Sequence, residues 1–94
     1  MGAVTRQTVR AALVEALANV EGVTDLQIEE AIGERGGDHM YELESKTAEA
    51  VLAEVGESLG FTPVGPADLE PEQYATLEAL ADLVEAALRA AGRT

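Results

Sequence analysis

Two serines, one histidine and a large excess of carboxylates are what this 94-residue chain offers for chemistry. Ser45 heads the run ELESKTAEAVLAEVGESLGF, where an amphipathic pattern begins. A helix N-terminus carries unpaired N–H groups and a partial positive charge. A phosphate joined to a serine there would be favourably placed. Serine also serves as an N-cap, and the two roles are compatible. No base adjoins Ser45 to activate it as a nucleophile, so it reads as an attachment point. Ser58, in GESLG, falls near the end of the same run and reads as a surface serine. His39, in GGDHMY, lacks the partners that a metal site or a general base requires. Asp25, Glu29, Glu30 and Glu34 lack the alternating ligands and central glycine of a calcium loop. Gly33, Gly36 and Gly37 follow no strand and precede no GK[ST], so they do not form a phosphate loop. Tyr41 and Tyr74 are expected to pack rather than to bind.

The composition narrows the classes further. Eighteen acidic residues stand against six basic ones, a net charge of −12. That balance opposes nucleic-acid binding, which needs cations to neutralise phosphates, and electrostatic attachment to membranes. Cysteine is absent, so there is no disulfide, thiol nucleophile or thiolate metal site. No stretch approaches the roughly 18 apolar residues of a membrane span, and MGAVTRQTVR shows no signal-peptide core. With 47% hydrophobic residues the chain can bury a small core. The expectation is one soluble, acidic, cytoplasmic domain over residues 1–94, monomeric, stand-alone and not itself an enzyme.

The elements that must position Ser45 read as helices. Strict apolar–polar alternation is missing, and Ala, Leu, Val and Glu dominate. A first helix is predicted from about Thr5 to Val20, with Val9, Leu13, Ala16, Leu17 and Val20 as its apolar stripe. Thr5 suits its N-cap and Gly22 its C-terminal stop. From Val23 to Glu44 the periodicity weakens, and the glycines argue against a long regular helix. Leu26, Ile28 and Ile32 are expected to anchor a loop or a short helical turn, and GERGGDHM is expected to be mobile. A second long helix is predicted from Ser45 to Leu59 on Ala48, Val51, Leu52, Val55 and Leu59, with Gly60 as its C-cap. Gly56 inside it costs about 1 kcal/mol against alanine. After TPVGP comes a short helix over Asp68–Thr76, then a last helix on Leu77, Leu80, Ala81, Val84 and Leu88, ending near Gly92. The fold class is all-α: a four-helix bundle of three longer helices and one short one, with a long loop between the first two long helices.

Charge is distributed unevenly. Between Thr47 and Leu88 there is no Lys or Arg, while Glu49, Glu54, Glu57, Asp68, Glu70, Glu72, Glu78, Asp82 and Glu85 fall there. Such a run is either a solvated acidic face or a surface that steers basic partner proteins.

The order of these features resembles that of the carrier-protein family, the acyl carrier proteins and related peptidyl carriers. In that family a long helix opens with a D-S-L motif, and its serine is modified. Glu44, Ser45 and Lys46 stand at the corresponding positions. About fifteen residues past that serine, an aromatic residue or leucine followed by glycine is common, and Leu59–Gly60 matches. A proline loop, a short helix and a last helix opening with a threonine–apolar pair follow, as TPVGP, PADLEPEQYA and Thr76–Leu77 do here. The resemblance spans nearly the whole chain.

It implies a discrete acyl or peptidyl carrier. A phosphopantetheinyl transferase would use coenzyme A to attach 4′-phosphopantetheine to Ser45. The terminal thiol of that arm would carry acyl or aminoacyl groups as thioesters, so the cofactor would supply the sulfur that the chain lacks. The helix behind the serine would be the recognition helix, with Glu44, Lys46, Glu49, Glu54 and Glu57 facing partners. Those partners would be the transferase, an acyl- or aminoacyl-loading enzyme and downstream biosynthetic enzymes with basic docking surfaces. Three positions depart from the pattern. Glu44 replaces aspartate, Lys46 replaces leucine, and Glu49 occupies a position that is commonly apolar. The departures favour a polyketide, nonribosomal-peptide or related specialised pathway over general fatty-acid synthesis, or else a loss of modification. The alternative is therefore a carrier-like acidic scaffold that is never modified. A third class is a small metal-dependent or hydrolytic enzyme built on His39 and nearby acids.

Overall fold

The computed structural model of the protein describes residues 5–62 and 75–92. Those residues form an all-α bundle of four helices. They are α1 (Arg6–Glu21), α2 (Asp25–Arg35), α3 (Ser45–Leu59) and α4 (Leu77–Ala90). α1 packs against each of the other three, and α3 also packs against α4. None is long and apolar enough to cross a membrane.

Capping chemistry sets most of the boundaries. The Thr5 hydroxyl accepts from the Thr8 N–H at the start of α1, and Gly22 ends that helix in the left-handed region at φ 72°. At the start of α4 the Thr76 hydroxyl accepts from the Ala79 N–H at 3.1 Å. The N-cap of α3 is Glu44, which makes no side-chain capping bond, so Ser45 is the first helical residue rather than the cap.

The region expected to be a long loop contains α2. Thr24 and Gln27 form a capping box: the Gln27 N–H donates to the Thr24 hydroxyl at 3.1 Å, and the Thr24 N–H donates to the Gln27 side-chain oxygen at 2.9 Å. Ile28 and Ile32, one turn apart, are both buried. Of the three glycines that argue against a long regular helix here, only Gly33 lies inside the 11-residue α2, exposed and in its last turn. Gly36 is the C-cap, at φ 104°, a conformation glycine adopts without a steric penalty. The glycines therefore terminate α2 rather than prevent it. Leu26, expected as an anchor, is 69% exposed, and Val20 in α1 is also exposed.

The segment after α2 is tied down. Tyr41 C=O accepts from the Leu77 N–H, and the Leu43 N–H donates to Ala75 C=O at 2.8 Å. These bonds flank an isolated antiparallel bridge between Glu42 and Thr76. The side chain of Tyr41 packs on the core as a half-buried residue, as expected, and that of Leu43 does the same. The expected short helix over Asp68–Thr76 lies outside the described residues except for Ala75 and Thr76, which are not helical.

The core is built from aliphatic side chains. Leu13, Leu17, Leu80, Leu88, Val9 and Val84 are fully buried at its centre. α3 contributes Ala48, Val51, Leu52 and Val55, and Phe61, just past its C-cap, joins them. Among the described residues no polar or charged side chain is buried. The bundle therefore rests on apolar area, at about 25 cal/mol per Å² removed from water.

Candidate functional site

Ser45 projects from the first turn of α3 into solvent. Its hydroxyl has no hydrogen-bond partner among the described residues. The first helical bond of α3 runs from the Ala48 N–H to Glu44 C=O, at 2.9 Å. The N–H groups of Ser45, Lys46 and Thr47 are thus left without partners among the described residues. This is the ordinary electropositive end of a helix, unshielded by any cap. Side-chain capping occurs at α1, α2 and α4 but not at α3.

Glu44, Lys46 and Glu49 surround Ser45, and all three are exposed. At 3.6 residues per turn, Glu49 lies about 40° around the helix from Ser45, while Glu54 lies about 180° away. Glu54 is half-buried and accepts from the Asn19 amide at 3.2 Å. It helps line a groove of about 320 Å³ between α1 and α3, with Glu15 and Glu57 at its edges and Ala12, Ala16 and Val55 beneath. Ser58 lines the same groove. The five residues expected to meet partners therefore form two groups, one around Ser45 and one against α1.

The carboxylates of α3 form no ion pair among the described residues. The paired acids lie elsewhere. Arg6, in α1, reaches Asp82 at 2.7 Å and also bonds Glu85, both in α4. The hydrogen bonds that Arg6 donates to Glu85 and Asp82 raise its pKa. Arg10, one turn on, grips two acids at once. Its NH1 and NH2 each donate to Glu29 of α2 at 2.7 Å. Its Nε and NH2 donate to Asp38, in the turn after α2, at 2.8 and 3.0 Å. Hydrogen bonds from Arg10 hold the Glu29 carboxyl below its ordinary value, while Glu29 and Asp38 raise the guanidinium pKa. Sequence spacing gave no sign of this hub, because its partners lie 19 and 28 residues away.

A second cleft, of about 310 Å³, opens on the α2 side of the segment leading into Ser45. Arg35 and Tyr41 line it, and the guanidinium carbon sits 5.8 Å from the ring centre. Glu21, Glu42 and Glu44 bring three carboxylates to its wall, and Leu43 and Thr47 complete it. His39 is exposed in the turn beside Gly37. No cluster of His, Cys, Asp and Glu able to hold a metal occurs among the described residues.

The local geometry fits a covalently attached anion. A phosphodiester on Ser45 Oγ would lie beside unpaired N–H groups and the exposed Lys46. Glu44 and Glu49, both exposed, oppose it through water, where the repulsion is screened. Compared with known proteins, the chain matches no family model, no curated protein and no solved structure.

Proposed function

We propose that the protein is a discrete acyl or peptidyl carrier that bears 4′-phosphopantetheine on Ser45. The observation that carries this reading is the exposed Ser45 hydroxyl, unbonded among the described residues, at the N-terminus of α3, which has no side-chain cap. The order of motifs around that serine supports it. The cofactor supplies the thiol on which acyl or aminoacyl groups are held as thioesters. The chain itself presents the arm, keeps the serine accessible and offers acidic side chains to partner enzymes. Glu44, Glu49, Glu54 and Glu57 meet basic partner surfaces through weak, salt-sensitive contacts. Such contacts let a shuttle leave each enzyme quickly. The pathway is a cytoplasmic, specialised one of the polyketide or nonribosomal-peptide kind.

Lys46 and Glu49, both exposed beside Ser45, favour the second reading, an acidic scaffold without the cofactor. Intact mass separates the two. The protein is incubated with coenzyme A, magnesium and a broad-specificity phosphopantetheinyl transferase, in parallel with Ser45→Ala. The carrier reading expects wild type alone to gain one phosphopantetheine. A folded wild type that gains nothing with several transferases supports the scaffold. A gain that survives Ser45→Ala moves the site, with Ser58 as the next candidate.

A further inference from the structure

We propose that Arg10 latches the segment leading into Ser45, and that its hold on Asp38, rather than on Glu29, sets the presentation of that serine. Its effect on Ser45 as a modification site rests on the carrier reading; the latch itself does not. One guanidinium on α1 makes paired bonds to two carboxylates, one on α2 and one on the turn that follows. The two halves of this hub have different consequences. Glu29 belongs to a helix already fixed by its capping box and by buried Ile28 and Ile32. Asp38 belongs to a turn without apolar anchors of its own, between two glycines at positive φ and the exposed His39 and Met40. Asp38 is nevertheless a crossing point. Its side chain takes the Arg10 bonds, and its C=O accepts from the Glu78 N–H in the first turn of α4, at 3.2 Å. From there the chain passes through the Tyr41 and Leu43 bonds to Glu44 and Ser45. Arg10 thus fixes one end of a short tether whose other end is the modification site. Arg10 touches neither Ser45 nor an attached group, so it is a positioning residue.

The test compares Asp38→Ala with Glu29→Ala, each of which removes half of the hub. Amide hydrogen exchange is read along the chain, and modification of Ser45 by the transferase is resolved into kcat and KM. Thermal melts provide the common stability scale. Asp38→Ala should speed exchange of the hydrogen-bonded amides within residues 38–45, those of Met40 and Leu43, about tenfold relative to the α4 core, and lower kcat/KM at Ser45 about tenfold. Glu29→Ala, at a similar loss of Tm, should leave both within about twofold of wild type. Arg10→Gln should behave as Asp38→Ala does. Equal effects of the two alanine variants in proportion to Tm would overturn the proposal, as would unchanged exchange over 38–45 in Asp38→Ala. If wild type accepts no phosphopantetheine but Asp38→Ala still loosens 38–45 selectively, the carrier reading fails and the latch stands.

Discussion

Replacing Thr24 and Ser45 by alanine, each alone, measures the difference between a capped and an uncapped helix start in one protein. Thr24→Ala removes the acceptor that the Gln27 N–H uses at 3.1 Å. The reciprocal bond to the Thr24 N–H survives, but nothing then locks the glutamine in place. N-cap losses of this kind cost about 1 kcal/mol. For a domain of this size that is a fall in Tm of about 4–8 °C. Ser45→Ala has no bond to lose, because Ser45 is the first helical residue and its hydroxyl is unpaired among the described residues. Alanine is the better helix former, by up to about 0.5 kcal/mol. Ser45→Ala should therefore melt with wild type or slightly above it. The assay is circular dichroism at a helix wavelength through a thermal ramp, repeated as a urea titration at 25 °C. A Ser45→Ala melt that falls as far as the Thr24→Ala melt would refute the reasoning, since the serine would then be capping α3. Agreement has a practical consequence. Ser45→Ala becomes a substitution whose functional effects cannot be attributed to a loosened helix.

Four further outcomes rest on the same geometry. Leu80→Ala empties a fully buried site in α4 and should cost about 2.7–5.0 kcal/mol, read as a lower urea midpoint at unchanged slope. Gly33→Ala places a methyl group in open space on a helical residue and should stabilise by about 0.5–1 kcal/mol; Gly36→Ala, at φ 104°, should destabilise by at least about 1 kcal/mol. Glu29 is held below its ordinary carboxyl pKa by Arg10, so its contribution is present above the unfolded value and lost as pH falls through the lower folded value. Melts of wild type should accordingly decline below about pH 4.3, and those of Glu29→Gln should decline less over that interval.

The long helices could be read from the sequence because their signals are local. Val9, Leu13 and Leu17 repeat at helical steps, as do Val51, Leu52 and Val55, and all six are buried where the pattern put them. Gly22 and Gly60 end α1 and α3 as expected. α2 was hidden because its apolar face is narrow: Ile28 and Ile32 are its only buried residues, and Leu26 points outward. The start signal of α2 is Thr24 followed three residues later by Gln27, a pairing that carries no hydrophobic periodicity. Ser45 could be found as a helix-start serine, but not whether its hydroxyl was committed to a cap. That depends on Glu44 taking the N-cap position, a difference of one residue in register. The ties between 41–43 and 75–77, and the Arg10 hub, join residues too far apart for periodicity to reveal.

The central position of α1 bears on how the chain comes to be folded during synthesis. α1 meets α2 soon after it is made, but its largest contact is with α3, and α4 follows later still. At ordinary elongation rates of about 5–20 residues per second, roughly 4–14 s separate the emergence of Arg6 from that of Leu77. A lone helix of this length is marginal in water. Through that interval the nascent chain exposes Val9, Leu13 and Leu17 with no complete surface to receive them. The first helix to be made is thus among the last to become permanent, because the α3 and α4 surfaces that complete its burial are synthesised after it.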